Sequence, residues 1–206
     1  MTTYIERKYV LDTYNVIANE FSNTRYHVWN FVKQFLWDKA SLYGLDVGCG
    51  NGKNMMHDNM VGVDCNQPFL DICTNRGKQV LCADCCELPF RSNSFDYCMC
   101  ISVVHHLSSE ERRKKCVMEM IRVMKRGSSG VFNMWSLENQ EKRQFVLGEN
   151  YVEWKSRDNS KETQLRFYYI MDYDTFMIFI NHFNNFIDLI KIENEKGNWI
   201  VYFVKK

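Results

Sequence analysis

Proline is nearly absent. Two in 206 residues leave Gly, Asn, Asp and Ser to punctuate the loops. Net charge is nearly absent too, at +1, so no global field recruits a polynucleotide. Such a partner would have to be held by local patches or by a second subunit, and DNA is not expected. No apolar run is long enough to span a bilayer, and Met1 to Lys8 hold no signal-peptide stretch. The expectation is a cytoplasmic chain, or a nuclear one, without a membrane partner. Paired Cys-x-x-Cys knuckles with histidine partners are missing as well. The nine cysteines are an odd count, which in a non-secreted chain argues for free thiols. Cys82, Cys85 and Cys86 invite a zinc reading, with Cys98 and Cys100 nearby. But Cys82, Cys98 and Cys100 fall inside predicted strands, where a thiol behaves as a small apolar group. No metal site is expected.

What is present starts at Leu45-Asp46-Val47-Gly48-Cys49-Gly50-Asn51-Gly52-Lys53. An apolar run ends in an acid and then in glycine at every second position, which reads as a buried strand entering a tight turn before a helix. Glycine there admits positive φ and close approach of a ligand to the main chain. The phosphate-binding loop needs one more residue before Gly-Lys, and then Ser or Thr where Asn54 stands. The dinucleotide fingerprint needs Gly where Lys53 stands. The remaining pattern, Asp-x-Gly-x-Gly-x-Gly, resembles the first motif of class I S-adenosylmethionine-dependent methyltransferases.

Strand–helix alternation surrounds this motif. Residues 12–21 and 27–40 read as helices, the second with a stripe of Val28, Phe31, Val32, Phe35 and Leu36. Strands are predicted at 42–47, 60–63, 79–83, 95–102 and 130–135. Helices are predicted from Pro68 to Arg76 and after a capping box at Ser108-x-x-Glu111, the second stopped by Gly127. Residues 136–170 read as a lid or substrate loop. Asp174 is expected to cap a helix, and 186–193 with 199–204 to form an antiparallel hairpin turning at Glu195–Asn198. The predicted fold is α/β: a Rossmann-like class I methyltransferase with a mostly parallel seven-stranded sheet, helices on both faces and an antiparallel C-terminal hairpin. One domain is expected over 1–206: N-terminal helices to 40, a cofactor-binding core over 41–135, the lid over 136–170, and the C-terminal helix and hairpin over 171–206.

Ligands of open α/β sheets sit beyond the carboxyl ends of the strands. Those ends carry Asp46 with Gly48 and Gly50, then Asp64, then Asp84 with Cys85, then Ser102. A nucleoside cofactor suits them: glycines against its amino-acid part, Asp64 for both ribose hydroxyls and Asp84 for the adenine amine. Each acid alone reads equally well as a cap for the next helix. After the fourth strand, His105 and His106 are adjacent and point different ways, with His105 expected to reach the pocket.

Three further stretches resemble the tRNA wobble-uridine carboxymethyl methyltransferases, including the methyltransferase half of an AlkB-type tRNA hydroxylase. They are Phe21-Ser-Asn-Thr-Arg25-Tyr26 with Trp29; Val104-His105-His106-Leu107-Ser108 with Glu111-Arg112-Arg113; and Trp135-Ser-Leu-Glu-Asn-Gln140 with Arg166-Phe-Tyr168-Tyr169 and Lys196-Gly-Asn-Trp199. The segment between Gln140 and Arg166 looks shorter than the family's insertion. The resemblance implies S-adenosylmethionine as cofactor and methylation of the carboxylate of 5-carboxymethyluridine in tRNA. It also implies a heterodimer with a small zinc-binding activator subunit, docked beside the third strand at Val80-Leu81-Cys82. Arg25 is the candidate to orient the acceptor carboxylate or to hold the cofactor's own. Tyr26, His106, Trp135, Tyr168 and Tyr169 are candidates to contact the base. The basic run Arg112-Arg113-Lys114-Lys115 reads either as phosphate-binding or as a solvated helix face. A small-molecule methyltransferase, or a non-catalytic tRNA- or partner-binding subunit on the same fold, remains the alternative.

Overall fold

The computed structural model describes residues 2–140, 144–156 and 162–206. Its central sheet runs in the order β3-β2-β1-β4-β5-β9-β8. The five strands β1 (Gly44–Val47), β2 (Met60–Asp64), β3 (Gln79–Cys82), β4 (Phe95–Ile101) and β5 (Met124–Trp135) are parallel. Strands β8 (Ile187–Asn194) and β9 (Asn198–Lys205) close the sheet antiparallel, as predicted for a Rossmann-like class I methyltransferase.

Each face of the sheet has its own apolar layer, because side chains alternate along a strand. On β4, Tyr97, Met99 and Ile101 point to one side, where α3 (Asn30–Leu36) and α4 (Gln67–Asn75) supply Phe31, Leu36, Leu70 and Cys73. Cys98 and Cys100 point to the other, against α5 (Glu110–Val123) and α6 (Tyr173–Asn181). These two thiols are buried as expected, but Cys82 is exposed, since β3 forms the sheet edge. The N-terminal helix begins earlier than predicted. A short α1 (Tyr4–Glu6) and a π-helical stretch (Arg7–Asp12) lead into α2 (Thr13–Thr24), which packs Tyr14, Ile17 and Ala18 on Phe69 of α4. Among the described residues, no helix is long and apolar enough to cross a membrane.

Boundaries differ from expectation at α3, which spans only Asn30–Leu36 of the predicted 27–40, at the end of α2 and the start of β5, and at three caps and stops. Ser109, not Ser108, caps α5 by accepting from the Arg112 amide at 3.2 Å, because Ser108 is drawn to Glu6. Helix α5 ends at Val123, before Gly127: buried Met124 already pairs with Phe95, and the bulge that follows carries Gly127 at φ +75°. Asp172, not Asp174, caps α6 by accepting from the Thr175 amide at 2.9 Å.

The larger correction lies in the predicted lid. It holds a second, two-stranded antiparallel sheet of β6 (Gly148–Trp154) and β7 (Gln164–Ile170). The polar composition hides it, because only alternate residues of β6 are partly covered. The parts of the predicted lid at 141–143 and 157–161 lie outside the described residues. Strand β7 runs under the π-helical stretch and α2, and the Thr13 hydroxyl donates to the Leu165 carbonyl at 2.8 Å. The hairpin thereby forms one wall of the site.

Candidate functional site

A cavity of about 260 Å³ opens across the carboxyl ends of β1 to β5, roofed by α2 and walled by β7. Gly48, Gly50, Asp64, Asp84, Cys85 and Ser102 line it. So do Arg25, His105, His106, Trp135 and Tyr168. Asp46, Tyr26 and Tyr169 do not, for separate reasons given below.

At the tip of β1 the glycines have distinct tasks. A Cβ on Gly48 would lie 2.2 Å from a Val103 methyl, so only glycine lets β4 approach. A Cβ on Gly50 would meet no atom within 4 Å, so the space beside its Cα is open. The loop is pinned from both sides. The Gly48 and Cys49 amides donate to the Val63 carbonyl at 2.7 and 2.9 Å. Asn51 Nδ2 donates to Ser22 Oγ at 3.0 Å and to the Arg25 carbonyl at 3.1 Å.

Asp64 ends β2 with each carboxylate oxygen already holding one main-chain donor. Oδ2 accepts from the Gly50 amide and Oδ1 from the Asn66 amide, both at 2.9 Å. Each oxygen keeps a second lone pair toward the cavity, the geometry needed to accept from a vicinal diol. Burial raises its pKa; the Asn66, Gly50 and Cys65 amides oppose that.

Asp46 behaves differently. It is wholly buried beneath the glycine loop, and neither oxygen has a hydrogen-bond partner. Burial, followed by the nearby Asp64 charge, pushes its carboxyl up to about 8, with Lys53 opposing. It is therefore a largely neutral acid below that pH, and it does not line the cavity.

This chain is similar to several characterised proteins. The family model for a methyltransferase domain matches residues 45–132. A tRNA (carboxymethyluridine(34)-5-O)-methyltransferase of Schizosaccharomyces pombe is 38% identical over 157 residues, spanning 72% of this chain and 68% of that protein. The chain belongs to the tRNA (carboxymethyluridine(34)-5-O)-methyltransferase family. An Arabidopsis thaliana member is 40% identical over 144 residues, covering 68% of this chain but only 36% of that protein's length. Among solved structures, a methyltransferase in complex with the Haloferax volcanii Trm112 activator superposes with a TM-score of 0.69 at 10% identity. That match covers 96% of this chain and 98% of the other, and shows the shared fold.

A class I methyltransferase domain takes S-adenosylmethionine, and the residues here fit that group. The open face of Gly50, the two free lone pairs of Asp64 and the partnerless Oδ1 of buried Asn54 all border one cavity. Asn54 and Lys53 escaped the sequence reading; their position directly after the last glycine was the available signal.

Asp84 lines the cavity but is heavily engaged. Arg112 Nη2 donates to both its oxygens, at 3.1 and 2.9 Å, while Arg112 Nε donates to Glu6 Oε2 at 2.7 Å. Burial alone would raise the Asp84 pKa; the Cys86 amide and Arg112 outweigh it and lower it. Arg112 and Arg113 are thus interior, which corrects the phosphate reading of that run. Arg113 donates to the Leu107 carbonyl at 2.8 Å and lies 3.5 Å over the Tyr169 ring. Of the remainder, Lys114 pairs with Glu110 at 2.5 Å, leaving Lys115 outward. Asp84, Cys85 and Cys86 have ligand atoms within 4.8 Å of one another. But the carboxylate is spent on Arg112, and Cys86 Sγ bonds the Arg112 carbonyl at 3.3 Å. Breaking this triad should be costly. Arg112→Ala leaves the 2%-exposed Glu6 as an uncompensated buried charge and should cost roughly 3–5 kcal/mol in urea unfolding. Lys114→Ala, at an exposed pair, should cost below ~1 kcal/mol.

At the far end of the cavity, Trp135 of β5 and Tyr168 of β7 stack at 4.0 Å and 5°. Alternation along β7 sends Tyr168 inward and Tyr169 to the opposite face under Arg113, so the two cannot share the site. Tyr26 follows the end of α2, its ring tilted 44° against His27 at 4.2 Å, and is 65% exposed. The two histidines staple the walls together. His105 Nδ1 accepts from the Trp135 amide at 3.0 Å, which puts its proton on Nε2. His106 Nδ1 donates to the Phe167 carbonyl at 2.7 Å, so its Nε2 accepts from the Tyr14 hydroxyl at 3.2 Å. Burial lowers the His106 pKa to about 4, the Phe167 bond opposes this and the Arg166 charge adds to it. His106 is neutral at physiological pH and has no nitrogen left for a substrate proton. Cavity-lining Arg166, also on β7, was not among the predicted site residues; it stood only as a mark of family resemblance.

Proposed function

We propose that this chain transfers a methyl group from S-adenosylmethionine to the side-chain carboxylate of 5-carboxymethyluridine at the tRNA wobble position, giving the methyl ester. The observation that carries the reading is a single cavity with two chemically different ends, in a chain so closely related to enzymes of that name. One end has the open glycine loop and Asp64. The other has the Trp135–Tyr168 pair, an aromatic wall beside which a pyrimidine taken out of its stack would sit.

When bound, S-adenosylmethionine supplies an electrophilic methyl on a sulfonium. Asp64 would hold the ribose hydroxyls, and the face of Gly50 and Asn54 the amino-acid part. Asp84 offers only the lone pairs that Arg112 leaves, and Cys85 and Ser102 line the floor between them. Arg25 belongs to this end, since its own carbonyl is tied to Asn51 of the glycine loop. We assign it to the cofactor's carboxylate. Its positive charge there also contributes to the lowered Lys53 pKa, after burial.

The acceptor asks little of the protein in proton chemistry. A carboxylate with a pKa near ~4 is already ionised at neutral pH. No general base is needed, which suits a wall whose His106 is neutral and fully engaged. The residues contribute alignment and exclusion of water, and well-aligned reactants can supply roughly 7–11 kcal/mol of the barrier.

Two partners follow from the same reading: tRNA, and an activator subunit. The sheet edge β3 is open, with Leu81 47% exposed and Cys82 outward, and would pair with a strand of the activator. The activator in the Haloferax volcanii complex is the precedent on this fold. Mass spectrometry of tRNA nucleosides from cells lacking this protein should show 5-carboxymethyluridine accumulating and its methyl ester absent. Methyl ester at unchanged levels would refute the proposal.

A further inference from the structure

We infer that Arg166 is the receptor for the acceptor's carboxylate, and that the cavity lets the product go because esterification removes the charge Arg166 holds. This rests on the function proposed above and names the residue that reads its substrate.

Arg166 projects from β7 into the cavity and is 5% exposed. Its guanidinium is poorly satisfied for a buried cation. Nη1 donates to the Tyr168 hydroxyl at 2.8 Å, and Nη2 reaches the Glu153 carbonyl only at 3.5 Å. Nε is buried without a partner. The Trp154 and Tyr168 rings lie 5.2 and 5.5 Å from it. Among the described residues, no carboxylate comes within ion-pair distance. The contrast with Arg112 is direct: comparably buried, that side chain is held by two carboxylates. An unpaired buried cation is costly, because the lost hydration is not replaced. A bound anion offsets the cost, and the planar fork of a guanidinium matches a carboxylate.

Arg25 and Arg166 flank the same Phe21–Trp154 pair but bond to different neighbours. Arg25 stands at the glycine-loop end. Arg166 stands at the aromatic end, bonded to the same Tyr168 that stacks on Trp135. A pyrimidine beside that stack would bring its side-chain carboxylate next to a cation whose neighbour His106 is neutral. The transfer then forms a carboxylate-oxygen–methyl bond as the sulfonium sulfur–methyl bond breaks. The sulfonium becomes a neutral thioether, the carboxylate a neutral ester, and no proton moves. Arg166 loses its counter-charge in that step, so the ester should bind less tightly than the acid.

The test measures binding of anticodon stem-loops carrying 5-carboxymethyluridine, its methyl ester or plain uridine. It uses the full chain with its activator and saturating S-adenosylhomocysteine. Wild type should prefer the acid over the ester by at least ~10-fold, the scale of one charge-assisted fork. Arg166→Gln should bind both equally while its affinity for S-adenosylhomocysteine stays unchanged, and Arg25→Gln should keep the preference. If Arg166→Gln fails to bind S-adenosylhomocysteine, Arg166→Lys decides instead: a preference cut to two- or threefold supports the assignment, and an undiminished one overturns it. A preference surviving in Arg166→Gln, or lost only in Arg25→Gln, also overturns it. Wild type that methylates the acid yet binds acid and ester equally refutes this inference and leaves the activity standing. Wild type that methylates no carboxymethyl-bearing tRNA refutes the activity itself.

Discussion

Replacing Asp64 by alanine should weaken S-adenosylmethionine binding by at least ~100-fold in calorimetry, the largest binding effect expected of any single change. The carboxylate does two jobs at once. It fixes the glycine loop through the Gly50 amide and the start of α4 through the Asn66 amide. It also presents the remaining lone pair of each oxygen to the cavity. Hydrogen bonds to a charged acceptor contribute about 1.5–3 kcal/mol each, so losing two to a ribose corresponds to roughly 10²–10⁴ in affinity. Asp64→Asn keeps one acceptor and should fall between. Because burial raises the Asp64 pKa, wild-type affinity should also decline on acidification at a higher pH than an ordinary aspartate would give. Alanine at 64 with unaltered affinity would exclude this residue from the cofactor site.

Asp46 should dominate the pH dependence of stability in the ligand-free protein. Its carboxyl is held up to about 8 by burial first and the Asp64 charge second. In the unfolded chain it titrates near ~3.9. Between these values the folded state keeps a proton that the unfolded state releases. The contribution is therefore complete below the unfolded pKa and is lost as pH rises toward the folded one, at up to about 1.4 kcal/mol per pH unit. The whole excursion is on the order of 5 kcal/mol. Asp84, Asp96 and Glu119 are shifted downward and act the opposite way at acid pH, and so does His106, whose lowered pKa makes the unfolded chain the stronger proton binder below ~6.5, so the clean window is roughly pH 6.5 to 8. Urea unfolding across that window should show wild type losing stability. Asp46→Asn, which keeps the shape without the ionisation, should show a flatter profile and greater stability at pH 8. The shallower slope left in the variant belongs to Asp64, shifted in the same direction. Parallel profiles for the two proteins would mean that Asp46 is ionised in the folded state.

Much of the architecture was legible because its signals are local. The apolar run into Asp46 and the alternating glycines require a strand and a tight turn wherever they occur. The mostly parallel sheet and the C-terminal hairpin followed from elements read one at a time; the strand order did not. The β6–β7 hairpin was not legible: Gly148–Trp154 is polar at alternate positions and partly covered at the rest, so composition reads as loop. Asp46 and Asp64 look alike in the sequence, each an acid at a strand's end, yet one lies under the loop and the other against the cavity.

What the sequence by itself determined is the glycine-loop end of the cavity: glycines, an acid closing β2 and a strand tip, all within a short stretch whose geometry is set by neighbouring residues. Only the tertiary structure decided the aromatic end. Periodicity says that Tyr168 and Tyr169 face opposite ways, but which face meets a cavity depends on β5, α2 and α5 arriving from elsewhere in the chain. The same holds for the arginines. Arg112, Arg113 and Arg166 are one residue type in polar stretches, and what separates a satisfied interior ion from a waiting one is the carboxylate or carbonyl that distant segments bring within reach.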